Sequence, residues 1–169
     1  MKGRFLVPLV ALLLGGCTVA VTGTPLSATS TDPCSLLTDT EAASLGLRGP
    51  GNPNPAQPQL ATPPSCTWSS ANPDATYDGT LQAFYSTDIS IEKHYLTAPA
   101  GVERLGGVAW NRYLSPVGDF ICDLAVKISD TSFVALSSQS LANPAKACDL
   151  AEQAAPVVAG HLPLPRGER

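Results

Sequence analysis

The chain has 169 residues and a formal net charge of −4, with 14 acidic against 10 basic side chains. That length suits one domain with a real core. The acidic balance excludes a nucleic-acid binder, which needs a basic patch to neutralise phosphates, and a polybasic membrane-surface module.

The first predicted element is an export signal. Met1-Lys2-Gly3-Arg4 is a positive start, and Phe5 to Leu14 is an apolar stretch interrupted by Pro8. The stretch is shorter than the roughly 20 apolar residues of a spanning helix. A positive start, a short apolar core and then small residues mark a secretory signal peptide. Leu14-Gly15-Gly16-Cys17 resembles the lipobox of bacterial lipoproteins. The resemblance implies diacylglycerol transfer to the Cys17 sulfur and cleavage just before it. The expectation is therefore a signal peptide over 1–16, lipid (palmitate-type acyl chains) on Cys17, and attachment to the outer face of the cytoplasmic membrane. Residues 17–31 then form a Thr- and Ser-rich, uncharged tether, too poor in apolar surface to offset the entropy of ordering it. Such stalks can be O-glycosylated. No other stretch is long and apolar enough to span a bilayer.

A single domain is expected over 32–165, with a short tail at 166–169. Thr38-Asp39-Thr40-Glu41 is a capping box: the Thr38 hydroxyl accepts the Glu41 amide and the Glu41 carboxylate reaches back. Leu37 can staple to Ala42, and Gly46 supplies a left-handed stop with Leu47 packing back. The spacing predicts a short helix over 39–45. Residues 49–64 are so rich in Pro and Gly that they read as a long loop without regular structure.

Strands are predicted at Cys66–Ser69, Thr80–Tyr85, Val108–Leu114, Phe120–Ile128 and Phe133–Ser138. In the fourth, Phe120, Cys122, Leu124, Val126 and Ile128 share one face, and Asp123 and Lys127 take the other. Ile89 to Leu96 is ambiguous, with a short helix capped by Asp88 as one reading. A last helix starts at Asn143 and Pro144 and carries Ala147, Leu150, Ala151, Ala154 and Val158 at helical spacing. Pro156 should kink or end it. These elements predict an α+β fold: a mostly antiparallel sheet of about five strands, with a short N-terminal helix and a C-terminal helix packed on it.

With Cys17 assigned to lipid, four cysteines remain: Cys34, Cys66, Cys122 and Cys148. An even number in an exported chain predicts two disulfides, in one of three connectivities. Cys34–Cys66 and Cys122–Cys148 are favoured because each joins a predicted helix to a predicted strand. No Cys-x-x-Cys occurs and neither histidine lies near a cysteine in sequence, which argues against a metal site or a redox pair.

The ordered set of motifs carries a resemblance. The lipobox and Thr-rich tether are followed by Asp32-Pro33-Cys34-Ser35-Leu36-Leu37-Thr38 with Glu41, and by Leu45-Gly46-Leu47. Cys66-Thr67-Trp68 comes next, then Leu105-Gly106-Gly107-Val108-Ala109, Cys122, and Cys148 with its Ala-rich helix and Leu162-Pro163. The chain resembles an actinobacterial envelope lipoprotein family defined only by a domain of unknown function. The resemblance implies an actinobacterial source and a helix-plus-antiparallel-sheet domain, and no activity. Such domains are similar to small Mog1/PsbP-like modules and to extracellular sensor domains, which is fold analogy alone.

No nucleophile elbow, zincin helix, phosphate loop or dinucleotide fingerprint is present. His94 reads as part of a solvated face, and His161 as the end of the last helix, where a cation favours the dipole. Trp68 and Trp110 read as core. Asp119 and Asp123 flank a strand, with too few oxygens about them for calcium. The expectation is no catalytic residue, no metal and no cofactor. The favoured role is a non-catalytic binding module for a protein partner or an apolar envelope ligand, with no nucleic acid. The alternatives are an envelope-acting enzyme and an accessory subunit of a cell-surface complex. An apolar cavity between sheet and helices would favour a small ligand, and a solid core with an exposed apolar patch a protein. A cleft lined by polar groups of shifted pKa would favour an enzyme.

Overall fold

The computed structural model describes residues 31–75 and 78–164. The expected signal peptide, Cys17, the tether as far as residue 30, and the tail with residue 165 lie outside the described residues.

The fold is α+β, as expected. Seven strands form one antiparallel sheet: β1 (Leu47–Asn54), β2 (Ser65–Ser70), β3 (Thr80–Ser86), β4 (Gly101–Leu105), β5 (Val108–Leu114), β6 (Ile121–Ser129) and β7 (Ser132–Gln139). Their spatial order is β1-β2-β3-β7-β6-β5-β4. Among the described residues three α-helices accompany them: α1 (Asp39–Ser44), α2 (Ile91–Tyr95) and α3 (Asp149–Ala159).

Local chemistry explains the N-terminal part. Thr38 caps α1, and the capping box is complete. Glu41 N donates to Thr38 Oγ1 at 3.3 Å, and Thr38 N donates to the Glu41 carboxylate at 2.8 Å. Gly46 follows at φ 72°, and Leu37, Ala42 and Leu47 are buried together. Before α1, Pro33–Leu36 forms a 3-10 turn capped by Asp32.

One face of the sheet carries the core. Leu81, Ala83, Leu124, Val126, Val134 and Leu136 pack there with Trp68 and Trp110 against Ala151, Ala154, Ala155 and Val158 of α3. Ser138 joins the layers. Its hydroxyl donates to the Ala147 carbonyl and accepts the Ala151 amide at 3.2 Å. The disulfides are Cys34–Cys66, tying the 3-10 turn to β2, and Cys122–Cys148, tying β6 to the start of α3. This is the connectivity favoured on topological grounds.

Several expectations need correction. Residues 49–64 are not a structureless loop. β1 runs to Asn54, and Pro58–Leu60 forms a 3-10 turn. β1 is an edge strand, where a proline without an N–H is tolerated, and its register shifts between Arg48 and Asn52, around the cis Gly49–Pro50 bond. The sheet has seven strands rather than about five; β1 and β4 are the additions. Ser90, not Asp88, caps α2. Asn143 and Pro144 open a 3-10 turn over Pro144–Lys146 instead of the helix itself, and Asn143 makes no side-chain cap. Pro156 does not end α3, which continues to Ala159. Pro156 is solvent-exposed, so the carbonyl it leaves unpaired one turn earlier is not stranded in the core.

No helix among the described residues is long and apolar enough to cross a membrane.

Candidate functional site

The back face of the sheet is covered only in part. Ser90 caps α2 by accepting the Lys93 amide at 3.2 Å. Ile91, His94 and Tyr95 recur at helical spacing, so α2 turns one side toward the sheet. A second, smaller core forms there from Ile89, Ile91, Tyr113, Ala125, Phe133 and Ala135, with Phe84 and Tyr95 packed on it.

His94 is not on a solvated face, contrary to the sequence reading. Its ring lies 5.1 Å from that of Phe133 and 5.9 Å from that of Phe84. Its Nδ1–H donates to the Ala61 carbonyl at 3.0 Å. The charged neighbours Glu92 and Lys93 masked this in the sequence. The Ile91, His94, Tyr95 spacing was the signal that could have found it.

Tyr95 stacks on Tyr113 with ring centroids 3.8 Å apart. Tyr113 is paired across strands with Asp123, and Asp123 with Ser137. Burial pushes the Asp123 carboxyl up, while the Ser137 hydrogen bond and His94 pull the other way. Burial also raises Tyr95 well above the ordinary phenol range, helped by Asp123 and Tyr113, and raises Tyr113 itself. For all three groups the largest cause is desolvation by the surrounding packing.

His161 also departs from expectation. It lies past the end of α3, and its Nε2–H donates to both Glu41 oxygens, at 3.0 and 3.1 Å. Burial pushes Glu41 up, but the Thr38 amide, His161 and the Thr38 hydroxyl together bring it below its ordinary value. No local sequence signal links residues 120 positions apart.

Trp68 and Trp110 are core residues, as expected. Trp110 Nε1 donates to the Leu105 carbonyl at 3.2 Å. Trp68 Nε1 is the buried side-chain nitrogen without a partner among the described residues. A Cβ on Gly51 would sit 2.6 Å from the Trp68 ring, so the β1 irregularity requires glycine there. Among the described residues no group of three or more His, Cys, Asp or Glu side chains is placed to hold a metal.

The feature that stands out lies at the β4–β5 side of the sheet. Large exposed apolar side chains gather in one continuous stretch, residues 96–117. They are Leu96 (82% exposed), Val102 (63%), Leu114 (73%) and Val117 (66%). Leu96 also closes α2 in the left-handed conformation, at φ 58°, where glycine is usual. A leucine there bears strain of order 1–2 kcal/mol, and its side chain is left in solvent.

Two open clefts of about 480 Å³ each meet at Tyr113. One lies beside α2, between Ile91, the Leu96–Pro99 loop and Asn111. Glu92 and Lys127 line it too. The Glu92 carboxyl is lowered by its own backbone amide and by Lys127; Lys127 is raised by Asp130 and Glu92. Both shifts favour the charged forms, as an exposed ion pair does. The other cleft lies beside the Cys122–Cys148 bridge, with Leu114, Pro116, Ile121 and Pro144 in its walls and Arg112 and Asp119 as its charged groups.

At the same edge, Glu103 of β4 pairs with Arg112 at 3.5 Å. Glu152 of α3 shares a hydrogen bond with Glu103 and is raised by burial, by Glu103 and by Asp149. Glu103 on the edge and Glu152 and Asp149 on α3 therefore gather beside the cation Arg112.

No curated protein and no solved structure matches the chain. A family model described as "Protein of unknown function (DUF3558)" matches residues 12–161. That match covers most of the chain, and the protein, whose domain carries two disulfides, belongs to this family.

Proposed function

We propose that the domain is a non-catalytic binding module whose β4–β5 corner docks a protein partner, held at the outer face of the cytoplasmic membrane by lipid on Cys17. One observation carries the reading: four strongly exposed apolar side chains, Leu96, Val102, Leu114 and Val117, come from one stretch of chain flanking two open clefts. Register sets Val102 on the face of Asn111 and Leu114 on the face of Arg112, so the exposed apolar groups flank the corner on both sides, and such exposed apolar surface marks an interaction site. The space between the sheet and α3 is filled by fully buried side chains, including Trp68, Trp110, Leu124, Leu136 and Val158. That favours a protein at the surface over a small molecule in the interior. Of the raised groups near α2, Tyr95 and Asp123 line neither cleft; Tyr113 lines both, but burial is the main cause of its shift, as for a packed phenol, so acid–base chemistry has little support.

The anchoring rests on Leu14-Gly15-Gly16-Cys17, which the family match takes in because it starts at residue 12. Intact mass of the chain from its native host checks it. Acyl chains on Cys17 and a chain starting there are expected; a mass beginning at Met1 without lipid would refute it.

Docking is tested by placing a photo-cross-linking residue at Leu114 or Val117 on living cells, with Leu60 as an exposed control in a different part of the chain. A discrete protein adduct from Leu114 and Val117 but not Leu60 is expected. No adduct, together with a small molecule retained in the native mass spectrum, would turn the reading to a ligand carrier.

A further inference from the structure

The two edges of the sheet are built differently. β1 carries Pro50 and Pro53 and an irregular register, features that block further pairing. β4 has none of them. It is five residues of regular strand, without proline or lysine, and among the described residues it is paired only with β5.

The direction of its backbone groups follows from the hairpin. Leu105 and Val108 flank a two-residue turn in which Gly106 and Gly107 both have positive φ, at 60° and 80°. The pair closing such a turn is hydrogen-bonded, and the pattern alternates along the ladder. Glu103 and Gly101 therefore bond toward β5. The N–H and C=O groups of Val102 and Arg104 face away from the sheet.

We infer that β4 is a docking edge for an extended segment of another protein, which adds as an eighth strand with a basic residue opposite Glu103 and an apolar residue opposite Val102. This rests on the binding-module reading and specifies the partner of the same corner. Charge complementarity selects the occupant. On the α3 side of the edge stand Glu103 and Glu152, with Arg112 as the nearby cation. A cationic side chain fits there, and an apolar one fits beside exposed Val102 on the opposite side of the strand.

A second copy of this chain fits poorly. Antiparallel self-pairing over the whole of β4 sets Glu103 against its own mate. Centring the pair on Arg104 opposes two arginines. Centring it on Val102 leaves only three residues of each strand paired.

The test uses the full chain, purified in mild detergent, against a random linear peptide library displayed on phage. Selected peptides should alternate apolar with other residues and carry Lys or Arg at one position between the apolar ones. Val102→Pro removes an outward N–H and leaves the bonds to β5 in place. It should weaken the selected peptides by roughly tenfold or more, with an unchanged thermal melt. Should that variant melt early, Arg104→Pro, whose amide points the same way, replaces it. Glu103→Lys should turn selection toward acidic peptides.

Peptides that bind Val102→Pro normally but lose binding on Leu114→Asp would overturn strand addition and leave docking at the corner standing. An absence of any enriched peptide would overturn this inference alone, since the cross-linking experiment judges the corner independently. A dimer in sedimentation that Val102→Pro dissociates would overturn it in favour of a second copy.

Discussion

The β1 end of the sheet and the β4 end solve opposite problems. At the β1 end a disulfide, a complete capping box, a histidine–glutamate contact and edge prolines hold the chain closed. At the β4 end no disulfide among the described residues reaches the edge strand, the edge is regular, and leucines and valines face water. One end is fastened and the other is left open. On the proposed reading, stability and binding are then assigned to separate ends, so each can be perturbed alone.

The largest expected effect is at the fastened end. Changing Cys34 and Cys66 together to serine should lower unfolding free energy by about 2–5 kcal/mol, read from denaturant titration. An unmoved midpoint would erase the contrast between the ends. Next comes the cap. Thr38→Ala should cost about 1 kcal/mol.

The same site gives a pH signature. Glu41 is held below its ordinary value in the folded protein. Its contribution is therefore present above the unfolded glutamate value and is lost as pH falls through the folded one. The stability gap between wild type and Glu41→Gln should shrink below about pH 4. Asp123 is raised and so carries the opposite sign: Asp123→Asn should stabilise at neutral pH and lose that advantage in acid. A gap for Glu41→Gln that grows in acid would mean the His161 contact does not hold the carboxylate.

At the open end the changes are small or reversed. Leu96→Gly should raise stability by up to ~1 kcal/mol, because glycine relieves the left-handed strain at some cost in chain entropy. It should also weaken partner capture. Smallest of all, Leu114→Ser and Val117→Ser should shift stability by no more than about 0.5 kcal/mol while removing docking. Destabilisation of 2 kcal/mol or more by either, on the order of a core change, would show that these side chains belong to the core after all.

Legibility in the sequence followed the range of the interactions. The capping box of Thr38 and Glu41, the stop at Gly46 and the alternation along Cys122, Leu124 and Val126 are local patterns, and the structure has each of them. β1 was missed because an edge strand bonds along one side only, so prolines that exclude an inner strand are tolerated there. β4 was missed because Gly101-Val102-Glu103-Arg104-Leu105 is short, begins with glycine and carries adjacent charges. The exposed corner had no signature at all. Leu114 looks like core in a strand pattern, and its exposure depends on where the covering elements stop.

The Cys34–Cys66 bond has a mechanical consequence. A pull on the chain upstream of Thr31 reaches Cys34 within three residues. It then passes through a covalent bond into β2, an inner strand lying between β1 and β3. The load bypasses α1 and β1 and is never set to unzip them one hydrogen bond at a time. With seven strands at about 4.8 Å spacing, the open edge stands roughly 20–25 Å from the point of loading. A partner strand on β4 would feel a rigid plate under traction, not a fraying one.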